Sequence, residues 1–125
     1  MNVVDSSGWL EYFADGANAG FFARAIADSE RLVVPTISLL EVFKRILQQR
    51  GENAALLAVA HMRQGRVVAL DSELALSAAK FGTAHGLPLA NSVMLATARR
   101  HGALLWTQDA DLEGLEDVRY VAKAG

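Results

Sequence analysis

Val3-Val4-Asp5-Ser6-Ser7 joins a short apolar run to an acid and passes straight into a helix expected over residues 7–14. Met1 to Asp5 reads as a short buried strand, and a buried strand handed directly to a helix is the unit of a parallel sheet covered on both faces. The same alternation continues along the chain. Phe21, Phe22, Ala25 and Ile26 recur at helical spacing over 18–29. Arg31-Leu32-Val33-Val34-Pro35 is a second strand, closed by proline. Leu39, Leu40, Phe43, Ile46 and Leu47 then form one stripe of a helix over 38–50, stopped by Gly51. A helix is expected over 54–62 and a strand over 66–70. Asp71 is placed to cap the next helix, and Pro88 suits the first turn of a helix over 88–101. Strands over 103–107 and 117–121 complete the pattern. The expected fold is a three-layer α/β/α sandwich, one domain over 1–125, around a mostly parallel sheet of about five strands.

Composition agrees with that reading. Hydrophobic residues make up 52% of the 125 and charged residues 21%, which is a globular balance and enough for one core. A net charge of -2 argues against coating nucleic acid by bulk charge, though it leaves room for a local basic rim. The absence of cysteine excludes disulfides and thiolate metal sites. Nothing at the start has the form of a signal peptide. The longest uncharged stretch, 81–98, is broken by His85, Gly86, Pro88 and Asn91, so it is not a membrane span. The expectation is a soluble cytoplasmic protein.

Chemistry concentrates at four positions beside element ends: Asp5, Glu41, Asn91 and Asp109. Each has an ordinary local duty open to it. Asp5 can cap the first helix. Ser38 and Glu41 have the spacing of a capping box. Asn91 can cap a helix beginning at Ser92, and Asp109 can close an Asx-turn. The positions nevertheless follow separate elements and can face one end of a sheet, where open α/β folds bind ligands. Carboxylates that converge there repel one another unless a cation joins them. Oxygen ligands of this kind suit Mg2+, or Mn2+, and a bound ion can activate water toward a phosphodiester. Ser6 and Thr107, beside the acids, can orient carboxylates or waters. Lys44 and Arg45 lie about one turn beyond Glu41, close enough to steer a phosphate backbone. No nucleophile elbow, H-E-x-x-H, P-loop or dinucleotide fingerprint is present.

Four segments, in order and over nearly the whole chain, carry a resemblance: 3–7, then Pro35-Thr36-Ile37-Ser38-Leu39-Leu40-Glu41-Val42, then Leu87-Pro88-Leu89-Ala90-Asn91-Ser92, then Leu105-Trp106-Thr107-Gln108-Asp109. Together they resemble the PIN domain, and more narrowly the VapC-type toxins of prokaryotic toxin–antitoxin pairs. The resemblance implies a magnesium-dependent endoribonuclease with ligands at Asp5, Glu41 and Asp109. It also implies a homodimer neutralised by a VapB-type antitoxin whose tail blocks the acidic pocket. At position 91 the family normally has aspartate, so Asn91 removes one of four formal negative charges. A natural variant with a weakened site and a detoxifying substitution are both consistent with that amide. Two further readings stand beside this one. Asp71, Thr107 and Lys123 at successive strand ends allow a receiver-like phosphoacceptor module, and Asn91 allows a catalytically silent PIN-like binding protein.

Overall fold

The computed structural model describes residues 1–124. Five strands, β1 (Asn2–Val4), β2 (Leu32–Pro35), β3 (Arg66–Val68), β4 (Leu104–Thr107) and β5 (Val118–Tyr120), form one sheet in the order β3-β2-β1-β4-β5. Every pairing is parallel. Six helices cover it: α1 (Ser6–Phe13), α2 (Ala19–Ala27), α3 (Thr36–Arg50), α4 (Glu52–Met62), α5 (Ser72–His85) and α6 (Leu89–Arg100).

The three layers follow from strand alternation. Successive side chains of a strand point to opposite faces. Val4 and Val34 therefore pack with Trp9, Phe22, Val42, Ile46 and Met62 of the α1–α4 layer. Val3 and Val33 pack with Met94, Leu95 and Ala98 of α6 and with Leu105 of β4. All four valines are fully buried. Each contributes about 1.5–3 kcal/mol by leaving water, which is why both helical layers are held to the sheet. Among the described residues no helix is long and apolar enough to cross a membrane.

Gly8 sets how closely α1 approaches the core. A Cβ there would stand 2.6 Å from the Phe22 ring and 2.8 Å from a Val4 methyl, both on fully buried side chains. Gly8→Ala is therefore expected to destabilise the fold. Overpacking costs about 1–3 kcal/mol, against a gain of about 1 kcal/mol in helix propensity. A lowered urea midpoint at unchanged slope is the expected outcome; an unchanged or raised midpoint would show that the Phe22 ring yields freely.

Two local expectations are corrected. α3 begins at Thr36, after Pro35, so Ser38 lies inside the helix and its hydroxyl donates to Met94 Sδ at 3.3 Å. Ser38 and Glu41 thus form no capping box. α6 begins at Leu89 after Pro88, so Asn91 is a buried residue of its first turn and not its cap. In both places the proline ends the extended segment three residues earlier than the polar side chains suggested.

Candidate metal pocket at the sheet switch point

The chain leaves β1 in one direction to build β2 and β3, and later returns on the other side as β4 and β5. Strand order reverses at β1, and the crevice beyond the carboxyl ends of β1 and β4 is where such sheets place ligands. Asp5 follows β1 directly, and Asp109 lies two residues past β4. Glu41 is on the second turn of the helix after β2, and Asn91 on the first turn of the helix before β4.

Hydrogen bonds join Asp5, Asp109 and Asn91 through Thr107, and Glu41 is tied to this set through Ser6, the residue next to Asp5 in the chain. The Ser6 hydroxyl donates to Glu41 Oε1 at 2.6 Å. Its neighbour Asp5 accepts at Oδ1 from the Ser7 hydroxyl and the Gly8 N–H, both at 2.9 Å, and at Oδ2 from the Thr107 hydroxyl at 2.6 Å. Thr107 Oγ1 in turn accepts the Asp109 N–H at 2.9 Å. Asp109 Oδ2 accepts from Asn91 Nδ2 at 3.0 Å, and its Oδ1 accepts the Asp111 N–H at 2.9 Å. Asp5 therefore caps α1 and Asp109 closes its turn, while both also join the pocket. Local duty and convergence are compatible because a carboxylate has about four acceptor sites.

Asp5 is 3% exposed. Burial pushes its carboxyl above the ordinary carboxylate value, bonds from Thr107, Gly8 and Ser7 draw it back, and the charge of Asp109 adds to the rise. Among the described residues no basic side chain pairs with Asp5, Glu41 or Asp109. Nor do three or more His, Cys, Asp or Glu residues stand together as a ready-made metal group among the described residues. The donor set still fits a hard cation, because Mg2+ takes one or two carboxylates and keeps several waters. A buried carboxylate facing another acid, with no basic partner, is the feature of this pocket that a cation would relieve. Asn91 partly does so already: its amide nitrogen, turned toward the acceptor, is a hydrogen-bond donor to Asp109.

The other expected residues separate. Ser6 and Thr107 are both in the hydrogen-bonded set. Arg45 lines a cleft that shares Ser7 and Gln108 with the edge of the pocket. Lys44, one residue earlier and rotated by about 100° around the helix, borders an apolar patch with Leu40, Phe43 and Leu47 instead. Asp71 does not converge with Asp5. It follows the edge strand β3, two strands from β1, where it caps α5 and accepts two bonds from Arg100. The Leu74 N–H first, then Arg100, hold its carboxyl below the ordinary value. A receiver-like module needs the phosphoacceptor strand beside β1, so that reading is overturned. Ser7 and Gln108 were not singled out from sequence. Gln108 is a buried amide between Thr107 and Asp109, and its place in the polar run that directly follows β4 was the available signal.

A family model described as PIN domain matches residues 3–118. No curated protein matches the chain significantly. Among solved structures, a toxin–antitoxin complex from Klebsiella pneumoniae is similar at 18% identity and TM-score 0.79, covering 94% of this chain and 95% of that one. VapC20 of Mycobacterium tuberculosis, described as a sarcin–ricin-loop-cleaving toxin, is similar at 22% identity and TM-score 0.74, covering 95% and 99%. FitAcB from Neisseria gonorrhoeae is similar at 17% identity and TM-score 0.74, covering 96% of each chain.

Proposed function

The chain belongs to the PIN domain family, and on that footing we propose that it is a divalent-metal-dependent endoribonuclease, the toxin of a VapC-type pair. The observation that supports this reading is at the switch point, where hydrogen bonds join Asp5, Thr107, Asp109 and Asn91 and Ser6, next to Asp5, donates to Glu41, with no basic partner for these acids among the described residues. Asp5, Glu41 and Asp109 would hold Mg2+ or Mn2+, which when bound would polarise the phosphate and acidify an attacking water. Ser6 and Thr107 hold two of the carboxylates in fixed orientations by donating to them. Asp5 keeps one acceptor site beyond its three protein bonds, and Glu41 keeps its second oxygen. Asn91 positions Asp109 and lowers the formal charge of the pocket.

The same reading makes the protein a cytoplasmic homodimer with a VapB-type antitoxin, whose tail would fill the acidic pocket with a lysine or arginine. Its support is that similar folds occur in toxin–antitoxin assemblies. The Asn91–Asp109 hydrogen bond favours a second reading, a PIN-like protein that binds RNA or its antitoxin without cutting. Coexpression with the product of the adjacent reading frame is expected to yield a stable complex. The purified chain is expected to cut RNA weakly with Mg2+ or Mn2+ and not at all in EDTA. Cleavage that survives EDTA would overturn the metal mechanism, and no complex from an intact operon would overturn the toxin assignment.

A further inference from the structure

Beside the acidic pocket, between α1, α3 and the segment after β5, lies a cleft of about 290 Å³. Arg45, Arg50 and Lys123 stand on its rim, and none of them has an ion pair among the described residues. The rim thus carries three positive charges against one, Glu11, whose carboxylate is already engaged by the Asn18 N–H at 2.8 Å. In a chain of net charge -2 this is a local reversal of sign. Leu10, Phe13 and Ile46 make the cleft's apolar lining.

α3 joins the two sites. Glu41, Arg45 and Gln49 are spaced four residues apart on one face of it, so Arg45 is about 6 Å and Gln49 about 12 Å along the axis from Glu41. Ser7, which donates to Asp5, and Gln108, beside Asp109, line the cleft at its junction with the pocket. We infer that this cleft holds the nucleotide flanking the scissile phosphate of a single-stranded RNA, with Arg45, Arg50 and Lys123 on its phosphates and the apolar lining under its base or sugar. The inference rests on the ribonuclease reading and adds the substrate track to it. Exposed cations without acidic partners raise the local concentration of anions, and an apolar floor with a cationic rim is how proteins hold single strands without reading sequence. An acidic peptide would satisfy the rim, but it gains less from the floor and has no reason to continue into an acidic pocket. A phosphodiester does continue there, through the cation the pocket would hold.

The test is fluorescence anisotropy of a labelled single-stranded RNA against the full chain in EDTA, over a range of salt concentrations. Arg45→Gln, Arg50→Gln, Lys123→Gln and the control Lys44→Gln are compared after melting curves establish folding. Each of the first three is expected to weaken binding and flatten the slope of log K against log salt by about 0.7, the share of one phosphate contact on a single strand. Lys44→Gln is expected to leave the slope unchanged. Unchanged slopes in the three cleft variants, or an equal loss in Lys44→Gln, would overturn the track. Displacement of the RNA by a glutamate-rich peptide at lower concentration than by unlabelled RNA would also overturn it and give the cleft to a protein partner. Cleft-dependent RNA binding by a chain that cuts no RNA with any divalent ion would uphold the track while removing the ribonuclease reading.

Discussion

Asn91→Asp is expected to raise magnesium-dependent RNA cleavage by about 10–100-fold, the range over which changes to groups supporting a metal site act. The reason is the bond that the substitution removes. Asn91 Nδ2 donates to Asp109 Oδ2 at 3.0 Å, so a carboxylate at 91 would face another carboxylate at that distance. Two like charges so close drive one carboxyl pKa up. The metal-free variant should then lose stability as pH rises through that raised value. A divalent ion removes the penalty and, with four formal charges around it, should bind more tightly. The expected result is therefore paired: a lower melting temperature than the parent in EDTA at neutral pH, and a larger rise on adding Mg2+. Asn and Asp are nearly isosteric, and position 91 is not a cap, so the helix itself should be indifferent. Equal cleavage by both forms, with equal magnesium-induced shifts, would show that the amide does not limit the site.

Asp5→Asn should abolish cleavage, by about 100-fold or more, without unfolding the protein. Asparagine caps helices as well as aspartate does, so α1 keeps its start. Burial raises the Asp5 pKa in the native state. Its contribution to stability is thus full below the unfolded carboxylate value of about 3.9 and is lost as pH rises through the raised native value. At neutral pH the parent without metal carries that penalty, and Asp5→Asn does not. The variant's melting temperature should match or exceed the parent's in EDTA at pH 7 and vary less between acidic and neutral pH. Magnesium at 100 times its dissociation constant would stabilise the parent by about 2.7 kcal/mol and the variant by much less. A variant that still cuts RNA, or whose magnesium response equals the parent's, would remove Asp5 from the metal site.

The two substitutions act on opposite ends of one hydrogen-bonded set. Asp5 is the desolvated charge in it, and Asn91 the neutral group placed where a further charge would otherwise stand. The pocket is thereby left with three formal charges, of which one is costly without a cation.

Strand and helix order was legible in the chain because it depends on local pattern. Val3-Val4, Leu32-Val33-Val34 and Leu104-Leu105 announced buried strands, and the stripe on α2 announced a face that packs; on α3 the expected stripe held only in part, because Ile46 is buried beside Val42 while Leu40 and Leu47 stay exposed. The identities at 5, 41, 91 and 109 were also legible as a candidate site, since acids beside strand ends have few reasons to recur. Sequence could not choose between their local and convergent duties. Asp5 and Asp109 serve a local cap or turn and also accept from side chains of other elements, while Glu41 and Asn91 bond only to other elements, because Pro35 and Pro88 start their helices earlier than the polar residues suggested. That outcome depends on where a neighbouring element supplies a partner: Ser6 for Glu41, Asp109 for Asn91. Strand order was decided only by tertiary structure. It separated Asp71 from Asp5 by the width of β2, and it brought Arg45, Arg50 and Lys123 to one cleft from distant parts of the chain. Side-chain alternation and helical period act over a few residues, whereas which strand lies beside β1 is settled by packing two helical layers against a single sheet.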